Sequence, residues 1–146
     1  MDKIAIHQKL LELLTEKKEN LDFLIADVRS SNNDTKSSMG DKYETSREML
    51  QQEVNHLLVQ QNRVISQIET LQNTPTTTSH SVQKGSLVET NLGYFYIAIA
   101  WGKLTLGKQK IFVISEDSPI AKQMSGLKKE SSFTVNTQKQ RIKNIW

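Results

Sequence analysis

The chain contains no cysteine. That excludes disulfides, thiolate metal sites and cysteine nucleophiles, and it fits a reducing compartment. Long apolar runs are missing as well. No stretch approaches the roughly 18 apolar residues that a membrane span needs, and the first thirty residues show no apolar segment set between a basic start and a small-residue cleavage site. A soluble, cytoplasmic protein with no membrane partner is the expectation. There is no glycine-rich phosphate loop and no nucleophile elbow, and His7, His56 and His80 are too scattered to read as a metal cluster. Catalysis by the usual side-chain constellations therefore has no support. Proline is scarce, with Pro75 and Pro119 the only two, and neither proline nor glycine interrupts residues 1–39. Nothing there breaks a long helix.

What is present divides by charge. Residues 1–74 hold nine Lys and Arg against twelve Asp and Glu, a balance of −3, while residues 75–146 hold ten against four, a balance of +6. An acidic half joined to a basic half suits a partner rich in phosphate or carboxylate. The basic residues from Lys103 to Lys143 form no known RNA-binding motif in sequence, so acidic protein, RNA and plain solvation all remain open for them.

The first half has a coiled-coil period. With Ile4 as position a, the steps of three and four run Ile4, His7, Leu11, Leu14, Lys18, Leu21, Ile25, Val28. The period resumes as Tyr43, Arg47, Leu50, Val54, Leu57, Gln61, Val64, Ile68, Leu71. Between them Ser30–Tyr43 is rich in Ser, Asn, Asp and Gly, residues that bond their own backbone or tolerate turn geometry. The reading is an antiparallel helical hairpin over residues 1–73 with its tip near 30–43, a stalk of roughly 40 Å. An intermolecular coiled coil has the same periodicity and stays open. Lys18 at an a position lowers stability but can fix register, and His7 at d reads as a packed or partly exposed histidine.

Residues 74–84 read as a polar linker, with His80 solvated, and residues 85–146 as a second unit whose apolar period is two. Strands are expected at Leu87–Thr90, Tyr94–Trp101, Lys110–Ser115, Ser132–Asn136 and Arg141–Ile145, with turns at Asn91–Gly93 and Gly102–Gly107. One short helix interrupts them. Ser118 is a good N-cap, Pro119 suits the first helical position, and Gly126 ends the segment. The fold class is therefore α+β: a helical hairpin, then a small, mainly antiparallel sheet with one short helix.

The stretch Ile114–Gly126, ISEDSPIAKQMSG, resembles the C-terminal signature of the Gre transcript-cleavage factors. There a strand ending Ile-Ser leads to Ser-Pro, an apolar residue and a helix stopped by Gly. Gly85-Ser86-Leu87-Val88 is similar to that family's first strand, Gly-x-x-Val. The resemblance implies an FKBP-like C-terminal sheet that docks on bacterial RNA polymerase, with Ser118, Pro119, Ile120 and Lys122 at the contact. It also implies a hairpin that enters the secondary channel. An acidic pair at the tip then helps hold a Mg2+ ion shared with the polymerase, so that the polymerase itself hydrolyses backtracked RNA. The implied protein is no enzyme, has no cofactor or metal of its own, and meets nascent RNA only indirectly.

The acidic pair falls on Asp41 and Glu44 in Gly40-Asp41-Lys42-Tyr43-Glu44. Three residues apart, they share a face at a helix start, and the same pattern is a capping box that needs no metal. A rival register puts Lys36 and Met39 where the acids belong and leaves Asp34 as the substitute. After the pair the chain reads Thr45-Ser46-Arg47-Glu48, where the family has Asn-Ala-Glu-Tyr, so a non-cleaving channel regulator is an alternative. Two further classes remain. The aromatics Tyr94, Tyr96, Trp101, Phe112 and Phe133 could line the pocket of a peptidyl-prolyl isomerase, or the chain could be a coiled-coil interaction protein. Solution mass separates the last from the hairpin: the expected result in sedimentation equilibrium is a monomer whose mass does not change with concentration, and a concentration-dependent dimer would move the seam between chains.

Overall fold

The computed structural model describes residues 1–34 and 41–146, without the side chains of residues 32–34 and 41–44. Helix α1 (Lys3–Asp34) and helix α2 (Asp41–Gln72) each have 32 residues, about 48 Å at 1.5 Å per residue. Both are longer than the sequence period alone suggested. Asp2 caps the first, its Oδ1 accepting from the Ala5 backbone N–H at 3.0 Å, which satisfies one of the donors a helix start leaves free. The chain divides by its contacts into two compact units: Met1–Leu11 together with Glu69–Trp146, and Glu12–Ile68.

In the Glu12–Ile68 unit the heptad reading holds. Leu14, Leu21, Ile25 and Val28 are buried on α1, and Val54, Leu57 and Val64 on α2. Burying each such side chain contributes about 1.5–3 kcal/mol. The polar seam positions are joined by Asp22, which takes the Lys18 ammonium at 2.9 Å and the Gln61 amide at 2.6 Å on separate oxygens. The seam is thus closed within one chain, between residues 39 apart. These two donors, Lys18 first, hold the Asp22 carboxyl below its usual range.

Before Leu14 the buried stripe departs from the heptad. Lys3, Ile6 and Leu10 are buried while Ile4 is 55% exposed, so Ile4 is not a seam residue. The reason is tertiary. Met1–Leu11 belongs to the unit of the sheet, and the face it buries is set by that partner.

The sheet has six strands: β1 (Leu87–Thr90), β2 (Gly93–Ile97), β3 (Gly102–Leu106), β4 (Gln109–Ile114), β5 (Ser132–Val135) and β6 (Gln138–Ile145), in the order β3-β4-β2-β1-β6-β5. All pairs are antiparallel except β2 with β4. The α+β class is what the structure has. Two strand expectations are corrected. The run Tyr94–Trp101 does not continue as one strand but ends at Ile97, and Gly102–Leu106, read as a turn, is β3. Both follow from the parallel pairing: after β2 the chain leaves the ladder at Ala98, passes over the place of β4, and returns through the β3–β4 hairpin. The β5–β6 hairpin turns at Asn136 and Thr137, both at positive φ (49° and 68°), the conformation a two-residue turn needs between twisted strands.

Helix α3 (Pro119–Met124) covers one sheet face. Its Ala121 and Met124 join Val88, Phe95, Ile97, Phe133 and Ile142 in one buried cluster with Val82. On the opposite face Leu87, Tyr96 and Val113 form one row and Leu104 and Ile111 the next, all buried. The polar stretch before the sheet is tied down too. Ser86 Oγ lies 2.7 Å from Ser79 Oγ and accepts from the Gln83 N–H at 3.0 Å, while the Val82 N–H donates to the Leu127 carbonyl at 2.8 Å.

Gly85 closes that stretch at φ +91°, where a Cβ would stand 2.3 Å from the Pro75 carbonyl oxygen. Neither the backbone angle nor the space admits a side chain. Gly85→Ala is therefore expected to lower unfolding free energy by more than about 1 kcal/mol, read as a drop in the urea midpoint; an unchanged midpoint would contradict the packing of Pro75 on Gly85.

Candidate functional site

Three places carry groups with chemistry: the segment between α1 and α2, the start of α3, and the buried meeting of α1 with β2. At the first, Asp41 opens α2, but the side chains of Asp34, Asp41 and Glu44 lie outside the described residues, as do Lys36, Met39 and Gly40.

At α3 the local chemistry follows the sequence reading. Ser118 sits in extended backbone (φ −65°, ψ 150°) and its Oγ accepts from the Ala121 N–H at 3.2 Å; Pro119 is the first helical residue, where no N–H is required. Gly126, at φ +78°, sends its N–H to the Val82 carbonyl at 2.8 Å. The Ser-Pro…Gly pattern is thus a complete set of stops and caps. Of the four residues singled out there, Ile120 packs against the core cluster and Ser118 is spent on the cap, while Pro119 and Lys122 are exposed. A cavity of about 250 Å³ lies beside the helix, lined by Lys84, Ile97, Glu116, Asp117 and Ala121 among others. Two carboxylates and one ammonium give it mixed charge. Among the described residues no three His, Asp or Glu side chains converge as a metal site, and no helix is long and apolar enough to cross a membrane.

The aromatic side chains do not gather. Tyr94 and Tyr96 stand on one sheet face, Phe112 on the other with Phe95, and Phe133 is in the cluster under α3. Trp101 lines a separate apolar hollow with Val113 and Ile114. The structure brings no aromatic pocket together from these five rings.

The third place was not apparent in sequence. Tyr96 is fully buried, and its Oη lies 2.8 Å from His7 Nδ1, 89 residues away. The rings meet edge-on, centroids 6.3 Å apart. One turn earlier Lys3 is 6% exposed and donates from Nζ to the Thr77 carbonyl at 2.6 Å. Burial lowers the pKa of His7, helped by the charge of Lys3, and burial pushes the Tyr96 phenol up to about 12. A neutral imidazole hydrogen-bonded to a neutral phenol is the state this environment favours. The available signal was a histidine on a heptad seam, which marks a site where packing has a polar demand.

No protein-family model matches the chain, and no curated protein matches it. Among solved structures it is similar to the GreA factor homolog 1 protein of Thermus thermophilus, at 17% identity over 93% of this chain and 94% of that one, with a TM-score of 0.35. A likeness at this level carries no residue-by-residue correspondence.

The His7–Tyr96 pair makes stability depend on pH. Because the folded pKa of His7 lies below 6.5, the unfolded chain binds more protons in the window just below that value. Stability is full above pH 6.5 and falls as the pH drops through the window. His7→Asn, which keeps an acceptor and removes the titration, is expected to flatten the dependence. Tyr96→Phe is expected to lower stability by about 1 kcal/mol at neutral pH. Urea unfolding of the three proteins across pH 5–8 checks both; a slope surviving in His7→Asn would assign it elsewhere.

Proposed function

We propose that the protein is a transcription elongation factor-like protein that binds bacterial RNA polymerase, with its helical hairpin entering the secondary channel. The observation that carries this reading is the Ile114–Gly126 segment. It resembles the Gre signature in sequence, and its Ser118 cap, Pro119 start and Gly126 stop are formed together on a helix that packs against the sheet. A helical hairpin preceding such a unit in the same chain agrees with it.

On this reading Asp41 and Glu44 act at the tip. Two carboxylates can complete the oxygen coordination of a hard divalent cation held mainly by the polymerase, and so help position water for hydrolysis of the RNA 3′ segment. The chemistry belongs to the polymerase, and this chain contributes ligands and reach. Pro119 and Lys122, the exposed members of the α3 set, are the candidates for polymerase contact. A second reading, a regulator that occupies the channel without cleavage, is favoured by the Thr45-Ser46-Arg47-Glu48 departure and by the register that sets Lys36 and Met39 at the acidic positions.

RNA cleavage in stalled, backtracked complexes of the cognate polymerase separates them. Stimulation by the wild type is expected, with loss of roughly tenfold or more in rate for Asp41→Asn and Glu44→Gln and unchanged polymerase binding. Full stimulation by both variants would overturn the tip assignment. Binding without stimulation by the wild type would select the second reading, and absence of binding would remove both.

A further inference from the structure

The solvent-facing side of the β3–β4 hairpin carries groups that neither the core nor the tip chemistry uses. Residues paired directly across a sheet share a face, so Lys103, Phe112 and Phe95 stand in one row and Thr105 and Lys110 in the next. Lys110 and Phe112 are two apart on one strand, which keeps them on the same side. Phe95 is 4% exposed and belongs to the core, whereas Phe112 is 39% exposed. The two rings are stacked, centroids 5.6 Å apart and planes inclined by 30°. The outer ring is therefore backed by a fixed inner one and still reaches water. Lys103, Thr105 and Lys110 around it are exposed.

Packing explains part of this row, since Phe112 covers the buried Phe95, but it does not explain the lysines. Ile111 and Val113, the neighbours of Phe112 in sequence, fill the opposite face and are buried to within 1%. Phe95 asks for an apolar neighbour at position 112, but nothing in the sheet asks for lysines beside that neighbour. The charge is one-sided as well: from Gly102 to Ile114 there are three lysines and no Asp or Glu. A partly exposed ring backed by a buried one, with a lysine paired across from it and another two residues along, offers a stacking surface and two phosphate partners. These are the elements with which proteins take single-stranded nucleic acid.

We infer that the β3–β4 face binds single-stranded nucleic acid, stacking a base on Phe112 and setting backbone phosphates against Lys103 and Lys110. An acidic protein surface would use the lysines and leave the exposed part of the ring uncovered. A duplex would use the phosphates and hide the faces of its bases. The inference needs no polymerase and stands apart from the tip chemistry, so its test omits the polymerase.

The probe is a fluorescently labelled single-stranded RNA of about a dozen nucleotides, a length within the span such grooves cover, titrated with the full chain while anisotropy is followed at several salt concentrations. Binding that weakens steeply with salt is expected. Phe112→Ala should weaken it roughly tenfold or more, while Phe112→Tyr, which keeps a stacking ring, should not. Lys103→Gln with Lys110→Gln should flatten the slope of log affinity against log salt by about 1.4, two phosphates' worth on a single strand. Circular dichroism of each variant reports folding, and the tyrosine and lysine variants leave the core packing in place. Three results would overturn the proposal: no salt-dependent binding by the wild type, equal binding by a folded Phe112→Ala protein, or equal affinity for duplex RNA. Competition by polyglutamate at concentrations matching the RNA would likewise overturn it, and would hand the face to an acidic protein.

Discussion

A phenol hydroxyl in the middle of a sheet, closed off from water, has to be answered from within the protein. An unpartnered hydroxyl there costs roughly 1–3 kcal/mol, a large fraction of what a small domain has in hand. In this chain the answer to Tyr96 comes from His7, on the second turn of α1. Leucine at either position would have made a simpler interior. The pair instead ties the register of α1 to the register of β2: a helix slipped by one residue would offer the hydroxyl no partner. Lys3, one turn earlier, donates to Thr77 from a buried position of its own. Together these bonds account for the departure of the first three turns from the heptad.

That departure shows where sequence stops being legible. From Leu14 to Val28 and from Val54 to Leu71 the buried stripe can be read directly, because each seam residue is chosen by helix geometry and a partner helix of like pattern. Ile4 and Leu11 continue the same spacing on paper, yet a second surface with no helical period of its own selects Lys3, Ile6 and Leu10. A periodicity names the residues that share a face. It does not name the surface that face will meet.

The sheet divides similarly. Alternation along Tyr94–Ile97 separated the two faces correctly, but both are buried, so alternation could not show that one of them lies under α1. The two glycines bounding Gly102–Gly107 concealed β3, although Leu104 and Leu106 alternate with Lys103 and Thr105 inside it. The Ser118-Pro119 start and the Gly126 stop were legible because caps are local chemistry, satisfied by backbone groups within a few residues. The acidic pair at the turn of the hairpin rests on sequence. Its pattern serves a helix cap and a metal ligand equally, since both functions ask for carboxylates one turn apart.

The division of the chain into units has a kinetic side. Met1–Leu11 and Glu69–Trp146 make one unit, and Glu12–Ile68 is inserted between its parts. The first unit is therefore discontinuous in sequence, and bringing its pieces together closes a loop of roughly 60 residues, an entropy cost of about 4 kcal/mol for a flexible chain. The inserted segment consists of most of two helices consecutive in the chain, and helical structure, rich in local contacts, forms fast. Pairing of the two helices shortens the loop that the sheet unit has to close. The seam of Leu14, Leu21, Val54 and Val64 then serves as a template in time as well as a structure: it lends the sheet unit a closed loop that its own sequence does not contain.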